Sequence, residues 1–279
     1  MPSVTLYLSQ CDGASPILPV TGMKLFDTHA HIGLIDEDPI EQLIVVQEAR
    51  HEQIAGVLSI CNNVRDFFDV YENLKTASNV YFAVGVSPSE VTNPGKDWEA
   101  EVERGSEMAR VVAIGETGLD YYRKFGDRDS QIELFVRQLE LASRLDKPVV
   151  IHNRDAGSDV LDILRQKIPP RGGVLHCYSE DWTYAQAALE LPLYISFAGN
   201  LTYRNARNLH ETARNMPIDR ILIESESPFM VPASHRGQRN RPAYLPETAR
   251  YLAELREIDE QELAEQLFEN SCRFFGIDK

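Results

Sequence analysis

Lys24-Leu25-Phe26-Asp27-Thr28-His29-Ala30-His31 joins a short apolar run to two histidines one residue apart. In a strand successive side chains alternate faces, so His29 and His31 point the same way and can grip one metal ion. Alone the pair is a weak signal, since surface and core histidines fall at this spacing too. Its weight comes from recurrence. Glu116 follows Val-Val-Ala-Ile-Gly (111–115), His152 follows Pro-Val-Val-Ile (148–151), His176 follows Gly-Gly-Val-Leu (172–175), and Glu226 lies just past Ile221-Leu222-Ile223. Each is a metal-competent residue at the carboxyl end of an apolar, β-branched run, a placement that chance does not repeat so often.

Strand-like runs occupy 24–27, 56–60, 80–86, 111–115, 148–151, 173–175, 193–197 and 221–223. Between them lie stretches of helical periodicity, among them 39–50, 130–145 and 158–168, with Asp38 and Asp129 as expected caps. Continuous apolar strands, each followed by a helix, predict an α/β fold with a parallel sheet covered by helices. Eight of them can close into a TIM-like (β/α)8 barrel. An open doubly wound sheet is the alternative, but it would spread these residues along an edge, whereas a barrel brings them to one point. Residues 246–255 and 259–275 read as C-terminal helices. A chain of 279 residues with no linker, repeat or low-complexity tract predicts a single domain. Residues 23–279 hold the barrel, and Met23 can be the physiological start. Residues 1–22, punctuated by Pro2, Gly13, Pro16, Pro19 and Gly22, form an N-terminal extension, either loosely ordered or a short strand packed on the barrel.

A formal net charge of -15 argues against a broad basic face for duplex nucleic acid, so a polyanionic substrate would be gripped locally, by metal ions and a few arginines. Cys11, Cys61, Cys177 and Cys272 lack paired spacing, which suits reduced thiols and a cytoplasmic location. Strand alternation aims Cys177 away from His176, so a buried structural thiol is expected there. No stretch is apolar enough to span a bilayer, and the first residues lack the charged start and apolar run of a signal peptide. The expected state is a monomer without membrane contact.

Four imidazoles and two carboxylates crowd a single ion, so two neighbouring divalent ions are expected, with Zn, Mn or Mg suited to the mixture. In that reading His29, His31 and Glu226 hold one ion, His152 and His176 the other, and Glu116 lies between.

From about residue 23 to its end, the chain resembles the TatD-type metal-dependent deoxyribonucleases of the amidohydrolase superfamily. The resemblance lies in FDTHAH (26–31), IGETGLDYY (114–122), VIHNRDA (150–156), HCYS (176–179), YISFAGNLT (194–202), IESESPF (223–229), RGQRNRP (236–242) and ENSCRFFG (269–276). It implies a TIM-like barrel, a divalent metal centre and hydrolysis of nucleic acid, as a phosphodiesterase or 3′-5′ exonuclease on single-stranded DNA.

Three departures stand out. Glu224-Ser225-Glu226-Ser227-Pro228 replaces the family's usual Glu-Thr-Asp-Ser-Pro, so the aspartate that would bind metal and handle the water's proton is a longer glutamate. Gly85-Val86-Ser87-Pro88 stands where relatives often have Gly-x-His-Pro, and Glu180 where a glycine often follows His-Cys-x-Ser. The first bears on rate, the others on substrate contacts. Other readings are a hydrolase of a small amide, ester or lactone, or a metal-binding non-catalytic protein weakened by Glu226. Arg154 shares the parity of His152 and is expected to bind a phosphate. Arg236 and Arg239, in the loop after the eighth strand, are further candidates, with solvated surface roles as the alternative. Tyr121 or Tyr122 can stack a base or simply pack a loop. Ser179 can bond substrate or cap a helix, and Glu224 can orient a ligand imidazole. His51, His210 and His235 belong to no motif and read as surface or structural.

Overall fold

Every apolar run becomes a strand, and every neighbouring pair of strands is parallel. The computed structural model describes residues 24–278; the readings made for residues 1–22 and for Met23 lie outside them. β1 (Leu25–Ala30), β2 (Ile54–Ser59), β3 (Val80–Val84), β4 (Val111–Asp120), β5 (Val149–Arg154), β6 (Gly173–Leu175), β7 (Leu193–Phe197) and β8 (Ile221–Ile223) follow one another around the sheet in chain order. Closure comes just past β8. Glu226 N–H donates to His29 O at 2.9 Å, His31 N–H donates to Ser227 O at 2.8 Å, and Ala30 bridges to Ser227. The result is a TIM-like (β/α)8 barrel.

Ten helices accompany the strands among the described residues: α1 (Ile32–Ile35), α2 (Pro39–His51), α3 (Val64–Leu74), α4 (Trp98–Ser106), α5 (Arg128–Arg144), α6 (Gly157–Lys167), α7 (Trp182–Leu189), α8 (Arg207–Asn215), α9 (Leu245–Arg256) and α10 (Glu260–Phe275). None is long and apolar enough to cross a membrane.

Adjacent residues on one strand enter different cores, which is why the strands read as unbroken apolar runs. Leu25, Val57, Val149 and Ile221 pack outward under the helices. Their neighbours Phe26, Leu58, Val150 and Leu222 fill the barrel interior, joined by Phe274 and Phe275 from α10. Phe275 stacks on Phe26 with ring centres 5.7 Å apart, and Phe274 meets Tyr194 at 5.0 Å. The last helix thus seals the barrel at the end where β1 begins.

Some boundaries differ from the sequence reading, with local causes. β4 runs on to Asp120 because Gly118 lets it stay paired with β5: its φ is 130°, and a Cβ there would lie 2.0 Å from His152 O. α5 begins at Arg128 with Asp127 as cap, not Asp129, since the Asp127 carboxylate takes both the N–H and the hydroxyl of Ser130, each at 2.8 Å. Asp38 caps α2 as expected, accepting from Ile40 N–H at 2.8 Å. Two buried glutamines of α5 then fix the mouth of the barrel. Gln131 Oε1 accepts from Asp120 N–H at 2.8 Å while its Nε2 donates to Asp120 O at 3.0 Å. Gln138 Nε2 donates to Val86 O and Thr117 Oγ1, both at 2.8 Å.

Candidate metal centre

The strand ends carry the site. On β1, Thr28 donates to Ile223 O at 2.9 Å and meets Ser196 Oγ at 3.1 Å, so strict alternation would turn His29 away from the interior. A register irregularity between Asp27 and Ala30 reverses this. It is pinned by the Asp27 carboxylate, which accepts from His29 N–H at 3.2 Å and from Ser225 N–H at 2.8 Å. Both histidines then enter the barrel mouth, with their Nε2 atoms 3.1 Å apart.

Glu116 sits between two pairs of imidazoles. Its Oε1 lies 2.8 Å from His152 Nδ1 and 3.3 Å from His176 Nε2. Its Oε2 lies 3.8 Å from His29 Nε2 and 3.7 Å from His31 Nε2. Glu226 Oε2 is 3.4 Å from His29 Nε2 and 3.5 Å from His176 Nδ1. All six metal-competent residues singled out in the sequence therefore meet. Glu226 adopts a left-handed φ of 56°, uncommon for a residue with a Cβ. Its turn is fixed by Phe229 N–H donating to Glu226 O at 2.8 Å and by Asn240 Nδ2 donating to Ser225 O at 2.6 Å.

Charge is distributed unevenly in this cluster. His29 and His176 stack face to face with ring centres 3.9 Å apart, so both cannot be charged. Burial, reinforced by the charge on His176, holds His29 well below the usual imidazole range. Burial also opposes charge on His176, but Glu116 outweighs it and raises that ring well above its usual value. His152 is raised too, burial being overcome by Asp120 and Glu116. Glu116 is held well below the carboxylate range, and Glu226 is lowered to about 2, burial yielding to the imidazoles in each case. Burial lifts Asp27 to about 7 and raises Glu224.

The donor set suits a divalent cation. Glu226 Oε2, which faces His29 and His176, is buried without a hydrogen-bond partner, an arrangement that is costly unless something satisfies it. Ligand atoms converge in three groups: His29, His31 and Glu116; Glu116, His152 and His176; and His29, His176, Glu224 and Glu226. Imidazole nitrogen mixed with carboxylate oxygen is a divalent-metal environment.

Asp120 was not singled out in the sequence, although it lies four residues beyond Glu116 on β4. His152 Nε2 donates to its Oδ2 at 3.2 Å. Glu224, read in the sequence as able to orient a ligand imidazole, has Oε1 3.4 Å from His176 Nδ1, and that oxygen accepts from Cys177 N–H at 2.7 Å. Cys177 is a correction. β6 ends at Leu175 and Cys177 has φ 43°, so alternation stops and Cys177 lines the same cavity as His176. Burial, then Glu226, push its thiol well above the usual range.

Two cavities flank the cluster, sharing His152, Arg154, Glu226 and Met230. The first, of about 290 Å³, has an apolar wall that includes Leu34, Phe125 and Phe229 and a rim that includes Arg123. Phe229 is half exposed, although its backbone is tied down. Ser87, at one of the positions where the chain departs from its relatives, lines this cavity as well. The second, of about 330 Å³, has polar walls that include Asn153, Ser179 and Asn200. Arg154 lies 4.4 Å over the Tyr122 ring. Ser179 does not cap α7, since Asp181 does so by accepting from Tyr184 N–H.

The remaining substrate candidates stand apart from both cavities. Tyr121 donates to Asp159 at 2.5 Å, beside the Arg128–Asp159 ion pair, so its hydroxyl is committed to packing. Arg239 donates to Leu34 O, and Arg236 lies 5.3 Å over the Tyr203 ring. His210 bonds to Leu201 O, and His235 stacks on Tyr244, both structural roles. Arg123 is the cationic group that sequence reasoning missed, for it lies in a turn rather than on strand parity.

Residues 26–276 match the family described as TatD related DNase. The chain belongs to the TatD family. It is 37% identical to the uncharacterized metal-dependent hydrolase YcfH of Escherichia coli K12 over 259 residues, covering 92% of this chain and 97% of YcfH. It is 32% identical to a protein of Erwinia amylovora named 3′-5′ ssDNA/RNA exonuclease TatD, covering 84% of this chain and 93% of that one. The crystal structure of the TatD homologue YjjV from Escherichia coli K12 superposes with a TM-score of 0.85 at 26% identity, covering 92% and 99% of the two chains. More distantly, an organophosphorus hydrolase from Deinococcus radiodurans shares the fold at a TM-score of 0.63 and 15% identity. This TatD protein is a metal-dependent hydrolase.

Proposed function

We propose that this TatD-family chain is a phosphodiesterase that removes nucleotides from the 3′ end of single-stranded DNA, using two divalent ions. The observation that carries the two-ion reading is Glu116, whose two oxygens face separate imidazole pairs, as a bridging carboxylate requires. His29 and His31 would hold one ion, His152 and His176 the other. Glu226 sits beside His29 and His176 and would serve the centre as ligand and proton acceptor. When bound, the ions would supply Lewis-acid polarisation of the phosphate and a water activated at neutral pH.

The chain's own residues define what the site accepts. Arg154, on the ridge between the two cavities, and Arg123, on the rim of the first, are placed to meet a phosphate. Leu34, Phe125 and Phe229 offer an apolar wall for a base or other flat group. Two cavities on either side of the carboxylate–imidazole cluster favour a bond with a substituent on each side, as in a phosphodiester. The name of the Erwinia relative supports the same substrate class. Because Glu226 reaches the imidazoles, the longer side chain does not argue for a non-catalytic protein. Monomeric action on an unpaired strand, with no basic face for duplex, completes the proposal.

The test is a metal-supplemented assay on 3′-labelled single-stranded DNA, run beside esters, amides and lactones, with elemental analysis of the loaded protein. Stepwise release from the labelled end and two ions per chain are expected, with one ion lost in His152→Ala and one in His29→Ala. Hydrolysis of the small esters or lactones with intact DNA would overturn the substrate assignment. A single ion in the native protein would overturn the role given to Glu116.

A further inference from the structure

Arg154 is held by a ring rather than by a carboxylate. It lines both cavities beside the metal-competent cluster, with its guanidinium carbon 4.4 Å over the Tyr122 ring. Among the described residues that guanidinium enters no ion pair and no hydrogen bond. A guanidinium carries five N–H donors, and pairing with a carboxylate uses some of them, as nearby Arg128 does in donating to both oxygens of Asp159 at 2.7 and 2.8 Å. Attraction to the face of a ring uses none. Arg154 therefore keeps its donors for an anion while its place is fixed. Tyr122 is fixed in turn by its chain neighbours. Tyr121 N–H donates to Arg154 O at 2.9 Å and its hydroxyl to Asp159 at 2.5 Å, and Arg123 N–H donates to Asp120 Oδ1 at 2.7 Å. Between these anchors the side chain of Tyr122 is 60% exposed, so core packing does not account for its ring.

We propose that Tyr122 is a positioning residue for the reaction: its ring holds the Arg154 guanidinium on the ridge between the two cavities, with the N–H donors free for a phosphate oxygen of the substrate. The contact with substrate belongs to Arg154, and Tyr122 acts through it. What the role needs from Tyr122 is the ring and not the hydroxyl, which has no hydrogen-bond partner among the described residues. The inference rests on the phosphodiesterase reading.

The test has a spectroscopic arm and a kinetic arm. In protein labelled at arginine, the side-chain protons of Arg154 should be shifted upfield by the ring current of Tyr122. Tyr122→Leu should abolish that shift and Tyr122→Phe should keep it. In the metal-loaded enzyme acting on 3′-labelled single-stranded DNA, Tyr122→Leu should lower kcat/KM by about fivefold, the scale of one cation–ring contact, mainly through KM. Tyr122→Phe should restore the native value. In an Arg154→Ala background, Tyr122→Leu should cost nothing more, because the residue it positions is gone. Melting temperature and metal content confirm that each variant is folded and loaded. Absence of the upfield shift in the native protein, or native kinetics in Tyr122→Leu, overturns the positioning role while leaving the nuclease intact. So does a loss that persists in the Arg154→Ala background, which would mean that the ring meets the substrate itself, as a platform for a base. Failure of the native protein to cleave any strand overturns both readings.

Discussion

Asp120 Oδ2 accepts from His152 Nε2 at 3.2 Å, which leaves Nδ1 as the nitrogen turned toward Glu116. The ring is thereby fixed in tautomer and direction, and Asp120 is itself held by Gln131 and by Arg123 N–H at 2.7 Å. Asp120→Asn keeps the shape but allows the amide to present its nitrogen to the ring. Metal affinity should fall about 10- to 100-fold, as for other carboxylates that orient a ligand histidine. Competition against a chelator measures it, and native affinity in the variant would show that His152 needs no such support.

Glu226 is where geometry changes the expectation. Sequence comparison alone suggests that aspartate at this position would improve the site. Here the glutamate already places Oε2 within 3.4 Å of His29 and 3.5 Å of His176. Glu226→Asp would withdraw the carboxylate by about 1.5 Å, the length of one carbon–carbon bond. A misplacement of that order lowers turnover by roughly a hundredfold. Glu226→Gln should lower it further by removing the proton acceptor. Faster turnover in the aspartate form would mean that the backbone moves to compensate.

Metal loading should be coupled to proton release. His152 and His176 have pKa values raised by their carboxylate neighbours, so the metal-free site holds protons that an ion must displace. Apparent metal affinity should therefore rise with pH until both raised values are passed. The stability of the metal-free protein should run the other way. A raised histidine contributes stability that is full below its unfolded value, near 6.5, and is lost as pH rises through its folded value. Calorimetry in two buffers of different ionisation enthalpy counts the protons, and zero release would contradict the charge distribution described.

Grip by metals and a few guanidinium groups should give binding of single-stranded DNA a shallow salt dependence, because few counterions are released. Arg154→Ala should reduce kcat/KM by about 10- to 100-fold, the effect of losing one charged contact. Thermal stability should change little, since Arg154 is only partly buried. A steep salt slope would point to a basic surface elsewhere.

Much of the fold was legible because a barrel strand buried on both faces must be apolar at every position, and Val149-Val150-Ile151 or Ile221-Leu222-Ile223 can be little else. The metal-competent residues were legible for a related reason: a polar residue directly after such a run marks the open end of the barrel. What escaped depended on turns. Cys177 adopts a positive φ that no alternation rule anticipates. Tyr121 is committed to Asp159, thirty-eight residues away, and Asn153 to Glu180, pairings that no local pattern announces. Arg239 is tied to a carbonyl of α1, a contact that only the closed barrel creates.

Phe26 and Phe275 stack although they lie near opposite ends of the described chain. The floor beneath His29 and His31 is therefore the last part of the barrel to be translated. Until α10 arrives, the interior around Phe26, Leu58 and Val150 has no lid, and β1 has had to wait for β8 as well. Ordering of the ion-binding end is thus a late event in the biogenesis of the chain, and damage to α10 would be felt as a metal-binding defect at the opposite end of the barrel.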